Sequence, residues 1–568
     1  MKTSIVIAAV GYLGLTCSAS PVHRRESGGW KTQEWDAIVV GAGTAGIIVA
    51  DRLSEAGKKT LLLEIGGPSY GITGGRERPA WLNGTDLSRV DVPGLYKSIF
   101  SGGSELLCPS DVVNGFQACA IGGNSAINAG LYFQPPASDW DLYHPDGWKN
   151  DDVQAATQRL LQRQPSVTSY SPDGKFYWQT GWDAAESWLV DGAGFKNVSF
   201  NEVPDDKARV FGRTNYNYID GQRGGPTRTY LQTALARSNF RLQTGVRVKY
   251  INQAGGVASS VVVETAGSLV EVPLSASGRV IISTGALQSP AILMFSGIGP
   301  ADALEKLKNA SFTPYNSSNW IVNSAVGAEL FDNPNTFIEF SGPTIESHTH
   351  DYSNPEPTDR DQYLSSRSGP YSFASQTSAF WDFIHYEDGT QAGLQGTIDS
   401  AGYSDFNDNK TITLNIYGTS GMLSTGRVVL SDDGKFVPGP DSNVYYSDPR
   451  DADSIATFIH DIFQSLPAST PDSPAAEGLT PMNIAQNSTF EEIRTYITTP
   501  SAYAVGSVQH WSSSCRIGSC VDADTKVIGT HNIHVIDASI LAPLTVNPQF
   551  GTMVAGEKGA ERILALDS

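Results

Sequence analysis

The stretch DAIVVGAGTAGIIVADRLSEAGKKTLLLE, residues 36–64, decides the fold. Ala37 to Val40 is an apolar run of strand character, Ile47 to Leu53 carries an apolar helix face, and Thr60 to Leu63 reads as a second strand. Between the first strand and the helix lies Gly41-Ala42-Gly43-Thr44-Ala45-Gly46, and Glu64 ends the second strand eighteen residues after Gly46. Strand, glycine turn, helix and a second strand ending in an acid form a dinucleotide-binding βαβ unit. Gly41 permits the tight turn, Gly43 lets backbone approach a pyrophosphate, and Gly46 lets the helix close on the sheet. Thr44 and Ala45 open the helix, whose N-terminus faces the anion. Glu64 stands where a ribose hydroxyl is expected. A lone G-x-G-x-x-G is a weak signal, but here the strands, the helix face and the acid all agree with it.

The chain has 568 residues, which exceeds one ordinary core, so two closely packed domains are expected. Residues 1–19 hold Lys2, an apolar run from Ile5 to Leu15 and small residues at Cys17 to Ser20, the pattern of a secretory signal and too short for a membrane anchor. Residues 20–34 read as a short linker, in which His23-Arg24-Arg25 resembles a dibasic processing site as much as an ordinary charged linker. Cutting after Arg25 removes three basic residues and no acid, taking the formal charge from −20 to −23. So acidic a chain disfavours nucleic acid and anionic lipid as partners.

Secretion accounts for the cysteines: without Cys17 four remain, Cys108, Cys119, Cys515 and Cys520. Three connectivities are open, and Cys108–Cys119 with Cys515–Cys520 is preferred because each closes a short loop. The cysteines lack zinc-ligand spacing with histidines, and no metal is expected. Sequons at Asn83, Asn197, Asn309, Asn316, Asn409 and Asn487 are compatible with a glycosylated surface.

After Glu64 comes GGPSYGITGG, a glycine-rich loop expected to lie over a bound cofactor or its entrance, and then DVPGLYKSIF. Gly122 and Gly123 precede small residues, as needed where backbone lies against a flat or charged ligand. From Pro136 to about Asp205 the composition shifts toward Trp, Asp, Gln and Ser, with a helix near 151–164. Residues 225–251 read as helix then strand, and 270–300 as strand, Gly285 turn and helix, which returns to the first domain. Between about 301 and 500, short alternating runs such as Thr411 to Tyr417 and Arg427 to Leu430 predict antiparallel sheet.

The expected fold class is α/β, a Rossmann-like dinucleotide-binding domain of residues 35–135, 205–300 and 501–568. Into it is inserted an α+β substrate domain of residues 136–204 and 301–500, built on an antiparallel sheet. The last segment carries candidate chemistry. His510 beside Trp511 in a polar loop is by itself more often a hydrogen-bonded surface residue than a base. The strand from His534 to Asp537, a small-residue turn and then Asn547-Pro548-Gln549 before a helix strengthen the catalytic reading, because they bring a second helix N-terminus toward the same ligand.

Seven ordered blocks resemble the glucose–methanol–choline (GMC) oxidoreductases, most closely the flavin domain of fungal cellobiose dehydrogenases. These blocks are GAGTAG with Glu64, PGLYKSIF, GGNSAINA, STGALQSPAILMFSGIGP, VGAELFDNP, His510-Trp511, and VIDASI followed by NPQ. The resemblance runs from about Trp35 to the C-terminus. It implies FAD, with Gly41, Gly43, Gly46 and Glu64 on the ADP half, Val248 near the adenine, and Gly122, Gly123, Asn124 and Asn128 near the flavin. Asp537, Ala538 and Gln549 would complete that site. Some members tether FAD through a histidine in the GGNSAINA region; no histidine occurs from Cys108 to Pro136 here, so FAD is expected to be non-covalent.

The family's catalytic pair falls on His510 and Asn547, which suits alcohol oxidation: a base takes the hydroxyl proton while hydride leaves carbon for flavin N5. Substrate contacts would fall on Lys97, Phe100, Asp399, Gln509 and Trp511. Three departures are visible. A haem domain has no room upstream of Trp35, so electrons are expected to pass to a diffusible acceptor, a quinone or dioxygen. Val508-Gln509 stands where cellobiose dehydrogenases carry Ser-Asn. Lys97 and Asp399 stand in place of an acid and an arginine around the sugar. The expected activity is oxidation of a saccharide or related alcohol by a secreted enzyme; the alternatives are a secondary-metabolite alcohol or a non-redox lyase.

Overall fold

The computed structural model describes residues 29–101, 104–466 and 478–567. The signal segment, Cys17 and the dibasic pair at Arg24-Arg25 lie outside the described residues.

The opening βαβ unit forms as its pattern dictates. Trp35–Val40 and Thr60–Leu63 are adjacent parallel strands, with Ala37 opposite Thr60, and Thr44–Glu55 is the helix between them. Phe240–Gln243 extends the sheet on the far side of Thr60–Leu63. Ser268–Ile282 joins on the near side of Trp35–Val40 and is followed by Ile533–Val535, all in parallel. The first half of Ser268–Ile282 leaves this sheet to pair antiparallel with Val257–Thr265, which pairs with Arg247–Ala254. The central runs Ala37 to Val40, Leu61 to Leu63 and Val280 to Ile282 are continuously apolar and buried because both faces of the sheet are covered there. Helix Gln549–Ala565 packs on Thr44–Glu55, and a large core including Ile38, Val39, Ile48, Leu62, Ile281, Val535 and Met553 fills the contacts.

The second sheet is antiparallel over its central strands. Its order is Thr480–Pro481, Pro334–Ser341, Thr411–Gly418, Gln391–Asp399, Gln376–His385, Val210–Arg213 and Lys196–Asn197, with Ala504–Ser507 also on Pro334–Ser341. Alternation along Thr411–Gly418 sends Ile412, Leu414 and Ile416 into a core with Ile338, Phe340, Leu394 and Ile398. Helix Pro449–Gln464 covers that core with Ile455, Phe458 and Ile459. The opposite face carries Asn335, Phe337, Thr397, Asn415 and Tyr417, which line the central cavity. A Rossmann-like domain and a substrate domain built on an antiparallel sheet are therefore what the chain forms.

Segment boundaries depart from the sequence expectation in three places. Val210–Arg213 pairs with Gln376–His385 and so belongs to the second sheet although it follows residue 205. Ala504–Ser507 does the same beyond residue 501. Trp140, Trp148, Val153, Ala156 and Leu160, from the Trp-rich segment expected in the substrate domain, pack into the first core, and helix Asn150–Arg163 lies against Gln549–Ala565. Composition alone misassigned this helix: its apolar stripe matches whichever surface faces it, and the C-terminal helix provides that surface.

Candidate active site

The two sheets enclose one cavity of about 820 Å³. One end is lined by Leu63, Ile65, Val246 and Val248, an apolar slot beside the Glu64 carboxylate. Glu64 is buried and accepts hydrogen bonds from Ala42 N at 2.8 Å and Gly66 N at 2.9 Å; burial pushes its carboxyl up to about 7 despite those donors. Next along the wall come Gly41, Gly43, Thr44 and Ala45 at the start of the first helix. Gly123 lies against this turn: its φ is +53°, and a Cβ there would sit 2.8 Å from Gly43 Cα. Two glycine-containing backbones thus meet at the wall, leaving room that side chains would fill.

Farther along, Asn124 and Asn128 face the cavity from one side and Asp537, Ala538 and Gln549 from the other. Each amide is locked. Asn124 Oδ1 accepts from Ala118 N, and its Nδ2 donates to Gln117. Asn128 Nδ2 donates to Gln549 Oε1 at 2.7 Å, while Arg223 donates to Asn128 Oδ1 at 3.0 Å. Asp537 is held by Gly285 N, the Ser289 hydroxyl and Ser539 N. Gly46 and Gly122 are not on the wall. Gly46 supports the turn from below, since a Cβ on it would lie 2.1 Å from Gly41 O, and Gly122 takes φ +98° at the cap of the Gly123–Ala126 turn.

The far end holds His510, Trp511, Asn547, Pro548 and Tyr417. His510 Nδ1 lies 2.9 Å from Asn333 Oδ1, and its enclosed position, with little solvent to hydrate a charge, holds the imidazole down from 6.5 to about 3. The ring is neutral at ordinary pH. Asn547 Nδ2 donates to the Tyr417 hydroxyl at 3.1 Å, its Oδ1 accepts from Gln395 at 2.8 Å, and the Tyr417 ring meets that of His510 edge-on at 6.0 Å. Tyr417 is therefore in touch with both. Burial pushes the Tyr417 phenol above the ordinary tyrosine range. The loop carrying Asn547 is anchored by buried Asp139, which accepts from Thr545 N at 2.7 Å and the Thr545 hydroxyl at 2.6 Å.

Phe100, Gln509 and Trp511 line the cavity, and Gln509 accepts from Trp511 Nε1 at 2.8 Å and from Phe116 N at 3.2 Å. Lys97 and Asp399 do not reach the wall. They pair with each other at 2.8 Å behind Tyr96 and Gln376, and Gln376 Nε2 reaches Asp399 at 3.1 Å. Both disulfides form as preferred from loop length, Cys108–Cys119 beside the cavity and Cys515–Cys520 in the first core.

The groups present fit FAD. An apolar slot, a buried carboxylate, a glycine turn at a helix N-terminus and an amide-lined region follow one another along one cavity, in the order adenine, ribose, pyrophosphate and flavin require. Residues 36–335 match the N-terminal family model for GMC oxidoreductase and residues 423–556 the C-terminal one.

The chain belongs to the GMC oxidoreductase family. Its cofactor is FAD, and the family places it among oxidoreductases acting on CH–OH groups. An oxygen-dependent choline dehydrogenase of Vibrio vulnificus is 27% identical over 573 residues, covering 94% of each chain. A versicolorin B synthase of Aspergillus parasiticus is 27% identical over 605 residues, covering 94% of this chain and 89% of that one. A formate oxidase of Aspergillus oryzae has the same fold, with TM-score 0.74 at 17% identity over 94% of this chain and 99% of that one. A fungal aryl-alcohol oxidase does too, with TM-score 0.68 at 18% identity over 94% and 99%.

Sequence reading passed over the substrate wall: Asn335, Phe337, Gln376, Thr397, Tyr403, Asn415 and Tyr417. The signal was present in TITLNIYG, where Thr411, Thr413, Asn415 and Tyr417 alternate with Ile412, Leu414 and Ile416. Asp332 and Asn333, beside His510, lie in VGAELFDNP, a block used only for its resemblance.

Proposed function

We propose that this GMC oxidoreductase is a secreted enzyme that oxidises an alcohol, a saccharide or related hydroxyl compound. His510 serves as base and Asn547 holds the substrate oxygen. The observation that carries the reading is a neutral imidazole and a fixed amide on the same stretch of cavity wall, both touching Tyr417. A neutral histidine at the end of the cavity accepts the hydroxyl proton, and the Asn547 amide orients that oxygen without competing for the proton. Bound FAD supplies the hydride acceptor for the carbon that loses hydrogen. The electrons would then leave to a diffusible acceptor, a quinone or dioxygen.

Supporting secretion, each of the six sequon asparagines is exposed. Support for non-covalent FAD is the lack of any histidine from Cys108 to Pro136. Support for a sugar-like ligand is the resemblance to cellobiose dehydrogenase flavin domains together with the amides Asn335, Gln376 and Asn415 on the wall. A second reading, a secondary-metabolite alcohol, is favoured by a different observation: Tyr96, Phe100, Phe116, Phe337, Tyr403 and Trp511 give the same cavity aromatic walls.

Anaerobic addition of an alcohol panel (glucose, xylose, cellobiose, choline, 4-methoxybenzyl alcohol, glycerol) tests both. Bleaching of the flavin by a saccharide supports the first reading and bleaching by the aryl alcohol alone the second. A flavin that stays oxidised with every member while the holoenzyme converts a substrate without acceptor would mean a lyase and overturn both.

A further inference from the structure

The mechanism above needs the lone pair of His510 on Nε2, and an isolated neutral imidazole carries its proton on either nitrogen. The Asn333 side chain decides between them. Asn333 has its Nδ2 2.6 Å from the carbonyl oxygen of Gly418, an atom that only accepts. That contact fixes the Asn333 amide with nitrogen toward Gly418 and oxygen toward His510 Nδ1, 2.9 Å away. An amide oxygen only accepts, so Nδ1 must carry the proton. Nε2 has no hydrogen-bond partner among the described residues, and the imidazole lines the cavity.

The neighbouring residue holds the backbone. Asp332 is fully buried; its Oδ1 accepts from His510 N at 2.7 Å and Asn333 N at 3.0 Å, and its Oδ2 accepts from Gln509 N at 3.2 Å and the Tyr445 hydroxyl at 2.5 Å. Gln509 has φ +64°, a left-handed conformation that a side chain adopts at a cost, so the turn before His510 is held by the Asp332 carboxylate. One consecutive pair, Asp332-Asn333, thus grips the backbone and the ring of His510 separately.

We propose that Asn333 is a positioning residue that sets the tautomer of His510, donor at Nδ1 and acceptor at Nε2, with Asp332 fixing the turn that carries the ring. This rests on the reading of His510 as base. In the step itself the substrate O–H bond breaks and its proton forms an N–H bond at Nε2, leaving an imidazolium. Asn333 Oδ1 keeps its hydrogen bond to Nδ1–H and takes no proton. A neutral amide in this place orients the ring without adding the anionic partner that would make the base easy to protonate in the resting enzyme. The titratable groups facing His510 among the described residues are Asp332, engaged with the backbone amides and Tyr445, and Tyr417 across the ring.

The test compares the holoenzyme with Asn333→Leu, Asn333→Asp and His510→Ala, using whichever panel alcohol reduces the wild-type flavin fastest. Asn333→Leu is expected to keep FAD and a wild-type Kd for the alcohol while slowing flavin reduction at least ~10-fold. Asn333→Asp restores an acceptor at Nδ1 and should recover most of the rate, with the acid limb of its pH profile moved up by ~1–3 units because a carboxylate now faces the ring. Long-range proton–nitrogen correlation spectra of isotope-labelled histidines, assigned with His510→Ala, should show His510 protonated at Nδ1 in the wild type. A wild-type ring protonated at Nε2, or Asn333→Leu reducing at the wild-type rate, overturns the proposal, and the first of these does so even if the leucine variant fails to fold. If His510→Ala reduces its flavin normally, the base assignment fails instead.

Discussion

At the cofactor end of the cavity the wall is largely backbone, contributed by Gly41, Gly43 and Gly123 and by the start of one helix, and most of it comes from a single run of sequence. At the substrate end the wall is side chains, Asn335, Gln376, Thr397, Asn415 and Tyr417, brought together from four strands of an antiparallel sheet. A backbone site tolerates almost no added atom, because there is no side chain to move aside. A side-chain site tolerates exchange, because each group is one of several and its neighbours can repack.

The sharpest break of this contrast is at Gly123. Asn124 beside it faces the same cavity with a side chain, so the glycine is required by position and not by composition. Gly123→Val puts a branched side chain at φ +53° with its Cβ 2.8 Å from Gly43 Cα. A β-branched residue in that region costs ~1–3 kcal/mol before the clash is counted. The variant should fold but purify without stoichiometric flavin, read from its visible absorbance. A fully flavinylated Gly123→Val would mean that the backbone wall yields as easily as the side-chain one.

His510→Ala changes the far end of the cavity and should separate the two walls. FAD content stays at the wild-type level, and flavin reduction in stopped flow falls by ~10²-fold or more, the scale of a positioned general base. A loss of FAD together with activity would show that the two ends are not independent.

How much was legible follows the same division. Residues 36–64 announced their fold because turn, helix and strands are neighbours in sequence, and from them Gly41, Gly43 and Glu64 could be named; Gly123, Asn124, Asn128, Val248, Asp537, Ala538 and Gln549, which also line the cavity, were reached through resemblance. His510 and Asn547 were reached through resemblance, since a histidine beside a tryptophan says little alone. The substrate wall was not read, because which face of Thr411–Gly418 looks inward depends on strands almost 80 residues earlier in the chain. Lys97 and Asp399 were expected at the sugar; tertiary packing set Tyr96 and Gln376 in front of them.

The pH dependence sharpens the view of the reacting end. An exposed histidine loses its base form as pH falls through 6.5, whereas His510 is held down to about 3 by desolvation. The base form is present above the folded value, so the limiting rate of flavin reduction should change by no more than a few-fold from neutrality to about pH 4. The same shift weakens folding in acid, since between the two values the unfolded chain binds a proton that the folded chain refuses. A tenfold fall in rate per pH unit beginning near neutrality would show that solvent reaches the imidazole.

The smallest effect is expected at Lys97 and Asp399, and the two should differ. Lys97 is about half exposed, at 49%, while Asp399 is 13% exposed and also accepts from Ser375 and Gln376. Exposed pairs contribute at most ~1 kcal/mol, so Lys97→Met should leave thermal stability and turnover near the wild type. Asp399→Asn removes the charge that holds the Gln376 amide nitrogen away from the cavity. The amide can then turn its donors toward the ligand, changing KM for a hydroxyl-bearing substrate several-fold while kcat stays nearly constant. On the sugar reading, the reversed pair acts on a saccharide only through Tyr96 and Gln376 in front of it, and weak or absent cellobiose oxidation is expected where those groups do not match its hydroxyls. If cellobiose is oxidised as efficiently as other alcohols, and Asp399→Asn leaves KM unchanged, the pair is only a brace behind the wall. Specificity would then rest entirely with the side chains in front of it.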